Sequence, residues 1–143
     1  MPKTKLVLPQ HFSFTVEIPV RITDLNYGGH VGNDSILSLI HEIRVQFLRH
    51  SGYEEFNLAG VGLIMTDVAI EFKNELFYGD CIWASVAATE FSRVGFELFY
   101  KLEKKSGDKM ISVAFARTGM ICYDYSAKKI LSVPKEVCTK LLA

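Results

Sequence analysis

Five segments of this chain alternate apolar and polar residues as strands do, and only one long segment has the spacing of a helix. The first alternating segment runs from Phe12 to Ile22, where every second residue is apolar, which is typical of a strand with one buried face. Pro19 removes one backbone donor from that strand, which predicts an edge position or a local bulge. Four more strands are predicted after Gly60, at residues 61–72, 80–91, 94–103 and 109–123.

The long helix is predicted over residues 34–50, between the first strand and the other four. Asn33 or Asp34 is expected to cap its start, and Gly52 is expected to end it. Residues 135–142 are predicted to add one or two helical turns. The apolar face predicted for the long helix consists of Ile36, Leu37, Ile40, Ile43 and Phe47. This order of elements predicts an α+β fold in which a curved antiparallel sheet of about five strands wraps one long helix.

A single long helix covers only part of such a sheet. The apolar surface that it leaves open, together with the unpaired sheet edge, is commonly covered by a second copy of the same chain. We therefore expect a homodimer joined edge to edge. The sequence leaves open whether two such dimers pair further into a tetramer.

Length and charge limit the kinds of function. The 143 residues fit one domain, residues 1–143, and the 16 Lys and Arg balance the 16 Asp and Glu. Neither nucleic acid nor an anionic membrane surface is an expected partner, because both are recognised largely through positive charge. No apolar signal segment follows the first residues, which predicts a cytoplasmic protein.

The spacing of cysteine and histidine gives no metal-binding pattern. Cys81, Cys122 and Cys138 are widely separated, and so are the four histidines, so neither a zinc site nor a disulfide framework is expected. We interpret the cysteines as buried small hydrophobic residues. No metal or organic cofactor is expected.

A cluster of polar residues separates the first strand from the helix. It consists of Asp24, Asn26, Tyr27, His30, Asn33 and Asp34, interspersed with three glycines. Two interpretations are open, an Asx-rich loop that caps the helix or a site for an acyl carbonyl. The unpaired N–H groups at a helix start can stabilise an oxyanion, and the glycines let a substrate approach the backbone. Asp24 and Asn26 would project the same way if strand geometry persists through the loop.

Three separated motifs give the chain a family resemblance. They are Arg21-Ile-Thr-Asp-Leu-Asn-Tyr-Gly-Gly-His-Val-Gly-Asn33, Glu42-Ile-Arg44 and Phe77-Tyr-Gly-Asp80. In this order they resemble the motifs of the hotdog-fold acyl-CoA thioesterases of the 4-hydroxybenzoyl-CoA thioesterase type. The resemblance spans residues 12–134. It implies a hotdog fold, an acyl-CoA thioester as substrate and hydrolysis without a metal or organic cofactor.

The resemblance also implies roles for residues of the loop. Asn26 stands where the aspartate-using members carry their nucleophile or general base, and an amide has no base function. Asn26 is therefore expected to orient a water or to polarise the thioester carbonyl, while Asp24 or a carboxylate of the helix accepts the proton. Plant acyl-carrier-protein thioesterases carry a histidine at the position of His30, which implies an acid or base role for it. For Asp24 and His30 alike, a structural role in the loop is the alternative. Arg44 is expected to pair with a buried acid or to extend along the surface.

Three further residues are candidate substrate contacts. Asn33 lies at the helix start, where the family holds the thioester carbonyl, and the family places the acyl group in a tunnel between two subunits. Thr66, with Asp67, is a candidate contact from the opposing subunit, and the alternative is the outward face of a strand. Arg93 is a candidate contact for a CoA phosphate, and the alternative is a solvated charge.

The predicted function is hydrolysis of an acyl thioester by a water activated near Asp24, Asn26 and His30. A hotdog protein that holds an acyl thioester without cleaving it is the alternative, and the amide at Asn26 favours it. A hotdog hydratase or dehydratase is the third interpretation. It is the least favoured, because no hydratase motif surrounds His30.

Overall fold

The computed structural model describes residues 5–142, which form one six-stranded sheet and two α-helices. The strands are β1 (Phe14–Pro19), β2 (Gly62–Phe72), β3 (Cys81–Thr89), β4 (Gly95–Ser106), β5 (Lys109–Asp124) and β6 (Lys129–Ile130), and the helices are α1 (Asn33–His50) and α2 (Lys135–Leu142). The predicted α+β fold is confirmed, with the long helix between the first strand and the rest. The short β6 is the strand that alternation did not predict.

The sheet is antiparallel throughout the described chain, in the order β1-β3-β4-β5-β2, with β6 paired to β5. The edge position predicted from Pro19 is confirmed, since Pro19 lies in the outer strand β1, opposite Cys81. The other outer strand, β2, has an irregular register between Met65 and Asp67. Such a bulge bends a strand locally and turns its side chains.

The first strand is shorter than the alternation of residues 12–22 predicts. β1 ends at Pro19, although the N–H of Val20 still donates to the carbonyl oxygen of Asp80 at 3.0 Å. The chain then forms a single turn of 3-10 helix over Ile22–Asp24. The prediction of a strand as far as Ile22 is therefore wrong.

The hydrophobic core lies between α1 and the inner face of the sheet. The helix buries seven side chains there, namely Ile36, Leu39, Ile40, Ile43, Arg44, Phe47 and Leu48. Leu37 was predicted on this face, but it is 39% exposed. The predicted N-cap is also wrong, because the cap is Gly32 and the helix already includes Asn33 and Asp34. The chain is paired as far as Val31, so the helix begins directly after that pairing.

One polar network crosses this core. Arg44 donates from Nε to Glu55 Oε2 at 3.0 Å and from a terminal guanidinium nitrogen to the Tyr100 hydroxyl at 3.3 Å. The Tyr100 hydroxyl also lies 2.8 Å from the hydroxyl of the fully buried Thr118. Burial raises the pKa of Tyr100, so the phenol stays protonated at neutral pH. Pairing of Arg44 with an acid, one of its two predicted outcomes, is confirmed.

The cysteines occupy three different environments. Cys122 is buried, as predicted, and desolvation raises the pKa of its thiol to about 11. Cys138 is only partly buried, and Cys81 is exposed on β3, so the prediction of burial is wrong for Cys81. Within residues 5–142, no helix combines the length and the hydrophobicity needed to cross a membrane.

Candidate active site

The glycine-rich segment between β1 and α1 is a tight hairpin. Leu25 pairs with Val31, and the N–H of Asn26 donates to the carbonyl oxygen of His30 at 2.9 Å. The turn closes where the N–H of Gly29 donates to the carbonyl oxygen of Asn26 at 3.1 Å. Gly29 has a φ of +78°, which glycine adopts without strain. The hairpin holds Asn26 and His30 side by side and delivers the chain to the start of α1.

The start of α1 presents unpaired backbone donors. No side chain caps it, and the first backbone hydrogen bond of the helix runs from the N–H of Ile36 to the carbonyl oxygen of Gly32 at 3.1 Å. Within the described chain, the N–H groups of residues 33–35 therefore have no protein acceptor. Together with the positive end of the helix dipole, these groups can hold an oxyanion.

The side chain of Asn26 lies over this helix start. Its Oδ1 accepts the N–H of Gly28 at 2.9 Å, so the oxygen of the carboxamide is already used. Its Nδ2 lies 3.7 Å from the position that a Cβ on Gly32 would occupy. The free edge of Asn26 is therefore the hydrogen-bond donor, and that edge lies next to the N-cap of α1.

The side chain of His30 lies next to the same turn. Its Nδ1 is 3.2 Å from the carbonyl oxygen of Val31, which favours the tautomer that carries its proton on Nδ1 and leaves Nε2 free to accept one. A Cβ on Gly28 would lie 3.2 Å from His30 Nε2 and 3.3 Å from Asn26 Oδ1. The two side chains thus converge on Gly28. Of the three residues predicted to be catalytic, Asn26 and His30 lie side by side here, next to the start of α1 at Asn33.

Asp24 does not join this group. It is only 4% exposed, and its carboxylate accepts the Arg21 N–H at 2.8 Å and the Arg21 guanidinium at 3.1 Å. The prediction that Asp24 and Asn26 project together is wrong, because the 3-10 turn of residues 22–24 interrupts the strand geometry on which it depended. Asp24 is positioned to fix the hairpin through Arg21.

Two hollows flank the helix start. A hollow of about 220 Å³ has His30, Asn33, Lys73 and Glu75 among its lining residues, with Val31, Ile36, Phe72, Leu76 and Val113 as its apolar part. A second hollow, of about 410 Å³, is lined by Thr23, Leu25, Asn26, Tyr27, Asp34 and Ser35. We call the first the His30 hollow and the second the Asn26 hollow. A carbonyl held at the helix start would lie between a histidine and an amide.

Two sequence-predicted contacts lie elsewhere in the single chain. Thr66 is exposed on β2, and its hydroxyl donates to the carbonyl oxygen of Gly119 at 3.2 Å. Arg93 is exposed in the turn between β3 and β4, where its carbonyl oxygen accepts the N–H of Val133 at 2.8 Å. Neither residue lines the hollows at the helix start.

Sequence reasoning missed two charged residues of the His30 hollow. Glu75 and Lys73 precede β3 in a segment that reads only as a turn. The pairing of Val31 with this segment, through an N–H to the carbonyl oxygen of Leu76 at 2.8 Å, brings it beside His30. His30 Nε2 and Glu75 Oε1 are 4.0 Å apart. No local pattern could have shown this contact, because 44 residues lie between its partners in the sequence.

Residues 20–141 match the family model described as the thioesterase-like superfamily. The chain belongs to this superfamily. In Aquifex aeolicus (strain VF5), a curated protein named "Putative esterase" is 29% identical over 120 residues, which are 82% of this chain and 89% of that protein.

Solved structures share the fold. A 1,4-dihydroxy-2-naphthoyl-CoA thioesterase from Synechocystis has a TM-score of 0.78 and 21% identity, covering 90% of this chain and 94% of its own. The 4-hydroxybenzoyl-CoA thioesterase from Pseudomonas sp. strain CBS-3 has a TM-score of 0.79 and 14% identity, covering 91% and 99%. At such identities the likeness shows the hotdog fold, which the sequence predicted.

Metal-ligand clusters are absent from the part of the chain that the structure describes. Among residues 5–142, no group of three or more His, Cys, Asp or Glu side chains is arranged to hold a metal ion.

Proposed function

We propose that this member of the thioesterase-like superfamily hydrolyses acyl-CoA thioesters, as the resemblance to the 4-hydroxybenzoyl-CoA thioesterase type implies. The observation that carries the proposal is the start of α1, where unpaired N–H groups of residues 33–35 lie beside Asn26 Nδ2 and His30. A site with such donors on one side and a base on the other suits attack on a thioester carbonyl. The cytoplasmic location stays a prediction.

The reaction is a two-step acyl transfer to water. Nε2 of His30 removes a proton from the water as its oxygen forms a bond to the carbonyl carbon, and the carbonyl electrons move onto the oxygen. The helix N–H groups near Asn33 and Nδ2 of Asn26 hold that oxyanion. When the oxyanion collapses, the C–S bond breaks, and the leaving thiolate takes the proton from the His30 imidazolium. The products are a carboxylic acid and free CoA, and Asp24 contributes by fixing the hairpin.

A panel of acyl-CoA substrates tests this function. We expect release of free thiol from at least one member of a panel that spans aromatic and aliphatic acyl groups. In a complex with product or a slow substrate, the carbonyl oxygen should lie about 3 Å from the unpaired backbone N–H groups at the start of α1, residues 33–35. An acyl group bound elsewhere, for instance beside Arg93, contradicts the site.

A non-catalytic acyl-thioester-binding protein is the second candidate. The carboxamide of Asn26 favours it, because no carboxylate stands at that position and Oδ1 is engaged by Gly28. Turnover discriminates the two functions. A protein that binds acyl-CoA in calorimetry and releases no thiol from the panel is the binder.

We further propose that two chains assemble through the free edge of β2. Met65, Val68 and Phe72 of β2 are 38%, 37% and 50% exposed, although their cross-strand partners Met120, Thr118 and Ala114 are all buried. These three side chains therefore lie on the core side of the sheet, in a part of it that α1 does not cover. The other edge, β1, is short and contains Pro19, which makes it a poorer site for pairing.

This assembly gives roles to the remaining predicted contacts. Thr66 and Asp67 lie on the free edge of β2, from which they would reach the site of the opposing subunit. Phe72 lines the His30 hollow, so a second chain against β2 would help to close that hollow. Arg93 would contact a CoA phosphate only at the outer surface, where it is exposed.

Light scattering tests the assembly. We expect a mass of twice 16.1 kDa at micromolar concentration, and we expect Val68→Asp to shift the protein to a monomer, because a charge is costly in an apolar interface. Glu17→Lys places a charge change on the other outer strand and should leave the dimer intact. A stable wild-type monomer contradicts the assembly.

A further inference from the structure

We infer that Glu75 assists His30, the base of this site, and that the two side chains together hold the water that attacks the thioester. The inference rests on the proposed function. It assigns to Glu75, a residue of the segment before β3, a catalytic role that the loop motif does not contain. The aspartate of the resembled family's loop is here the amide of Asn26, so a carboxylate that assists His30 must come from another part of the chain.

Three hydrogen bonds anchor the segment around Glu75. The carbonyl oxygen of Leu76 accepts the N–H of Val31 at 2.8 Å. The side-chain amide of Asn74 donates to the carbonyl oxygen of Ser112 at 2.7 Å, and Lys104 Nζ donates to the carbonyl oxygen of Glu75 itself at 2.8 Å. These bonds fix the backbone from which the Glu75 side chain extends toward His30, and the side chain itself is 63% exposed.

The distance between the two acceptors suits one bridging water. Glu75 Oε1 and the unprotonated Nε2 of His30 are 4.0 Å apart, which exceeds a direct hydrogen bond. A single water placed about 2.8 Å from each can donate one hydrogen to each, with an angle of about 90° at its oxygen. Its lone pairs are then free to attack the carbonyl carbon.

Other charged groups near the helix start do not offer a comparable base. The carboxylate of Asp24 is engaged by Arg21. Asp34 lines the Asn26 hollow rather than the His30 hollow. Lys73 is the other charged residue of the His30 hollow, and its ammonium is 2.8 Å from Glu71, so its charge is already paired. Glu75 is the carboxylate that faces His30.

The proton transfer explains why a carboxylate helps. As the water oxygen bonds to the carbonyl carbon, its proton moves to Nε2 of His30, and the ring becomes an imidazolium. The negative charge of Glu75 stabilises that imidazolium, which then protonates the leaving thiolate when the C–S bond breaks. Glu75 keeps its charge throughout, and no other reactant is needed.

Glu75→Gln tests the assignment, because it removes the charge and keeps the size. We expect kcat/KM to fall about 10-fold or more with KM nearly unchanged, since general-base assistance is worth about 10²- to 10⁴-fold in full.

Three further variants complete the experiment. Glu54→Gln removes an exposed carboxylate outside both hollows and should leave kcat/KM unchanged. His30→Gln should lower kcat/KM more than Glu75→Gln does, because it removes the group that accepts the proton. The double variant, Glu75→Gln with His30→Gln, should lose no more than His30→Gln alone, because the two side chains act on one water.

The outcomes separate the inference from the function on which it rests. An active wild type, with a Glu75→Gln variant whose kcat/KM is within twofold of it, overturns the role of Glu75 alone. A double variant whose fold-loss in kcat/KM equals the product of the two single fold-losses also overturns it. A wild type that releases no thiol from any acyl-CoA overturns the proposed function, and the assignment of Glu75 falls with it.

Discussion

Replacing Asn26 by Asp is expected to lower thioester hydrolysis by about 10²- to 10³-fold, the usual cost of one oxyanion-hole donor. The carboxamide lies over the start of α1, and its Oδ1 already accepts the Gly28 N–H. Its Nδ2 is therefore the edge that faces an incoming carbonyl oxygen. An aspartate offers no donor there and adds a negative charge beside the developing oxyanion. The substitution therefore destabilises the transition state in two ways.

Steady-state kinetics with a matched control checks this expectation. Asn26→Ala removes the donor without adding charge, so it should lower kcat/KM by less than Asn26→Asp does. Asn57 also accepts a backbone N–H through Oδ1, that of Gly60 three residues on at 2.9 Å, and Asn57→Asp should leave hydrolysis unchanged. A higher rate in the Asn26→Asp variant would mean that the amide stands in place of a missing base, which favours the acyl-thioester binder.

The elements of the fold could be predicted because they depend on local periodicity. Apolar alternation placed β2 to β5 within about three residues at each end, since successive side chains of a strand face opposite sides. The spacing of Ile36, Ile40 and Ile43 identified the buried face of α1 for the same kind of reason. Periodicity fails where the backbone leaves the regular path, as it does after Pro19.

The site could be predicted only in part, because it depends on contacts between distant segments. Asn26, His30 and Asn33 are close in sequence, and the hairpin keeps them close in space. Asp24 was misplaced, since one 3-10 turn sends its side chain into the interior. Glu75 was missed, since its position beside His30 is set by the pairing of Val31 with Leu76.

The hydrogen-bond network at Arg44 holds α1 on the sheet. Disrupting this network is expected to have the largest effect on the free energy of unfolding. The Arg44 side chain is 6% exposed and that of Glu55 is 21% exposed. Arg44→Met keeps an unbranched apolar chain of similar length but leaves Glu55 Oε2 without the guanidinium, while Glu55 Oε1 keeps His41 Nε2 at 2.6 Å. Breaking a buried ion pair costs about 3–5 kcal/mol. Because Glu55 is partly hydrated, we expect the free energy of unfolding to fall by about 2–4 kcal/mol.

Urea denaturation at a fixed protein concentration measures this loss, since the proposed dimer would make the stability depend on concentration. Tyr100→Phe is the graded comparison. It leaves the pair of Arg44 and Glu55 intact but removes the hydroxyl that bonds both Arg44 and Thr118, so it should cost about 1–2 kcal/mol. Arg44→Met combined with Glu55→Gln should recover part of the loss, because the remaining amide is neutral and cheaper to bury than a carboxylate. An Arg44→Met variant within about 0.5 kcal/mol of the wild type would mean that apolar packing alone holds α1 on the sheet.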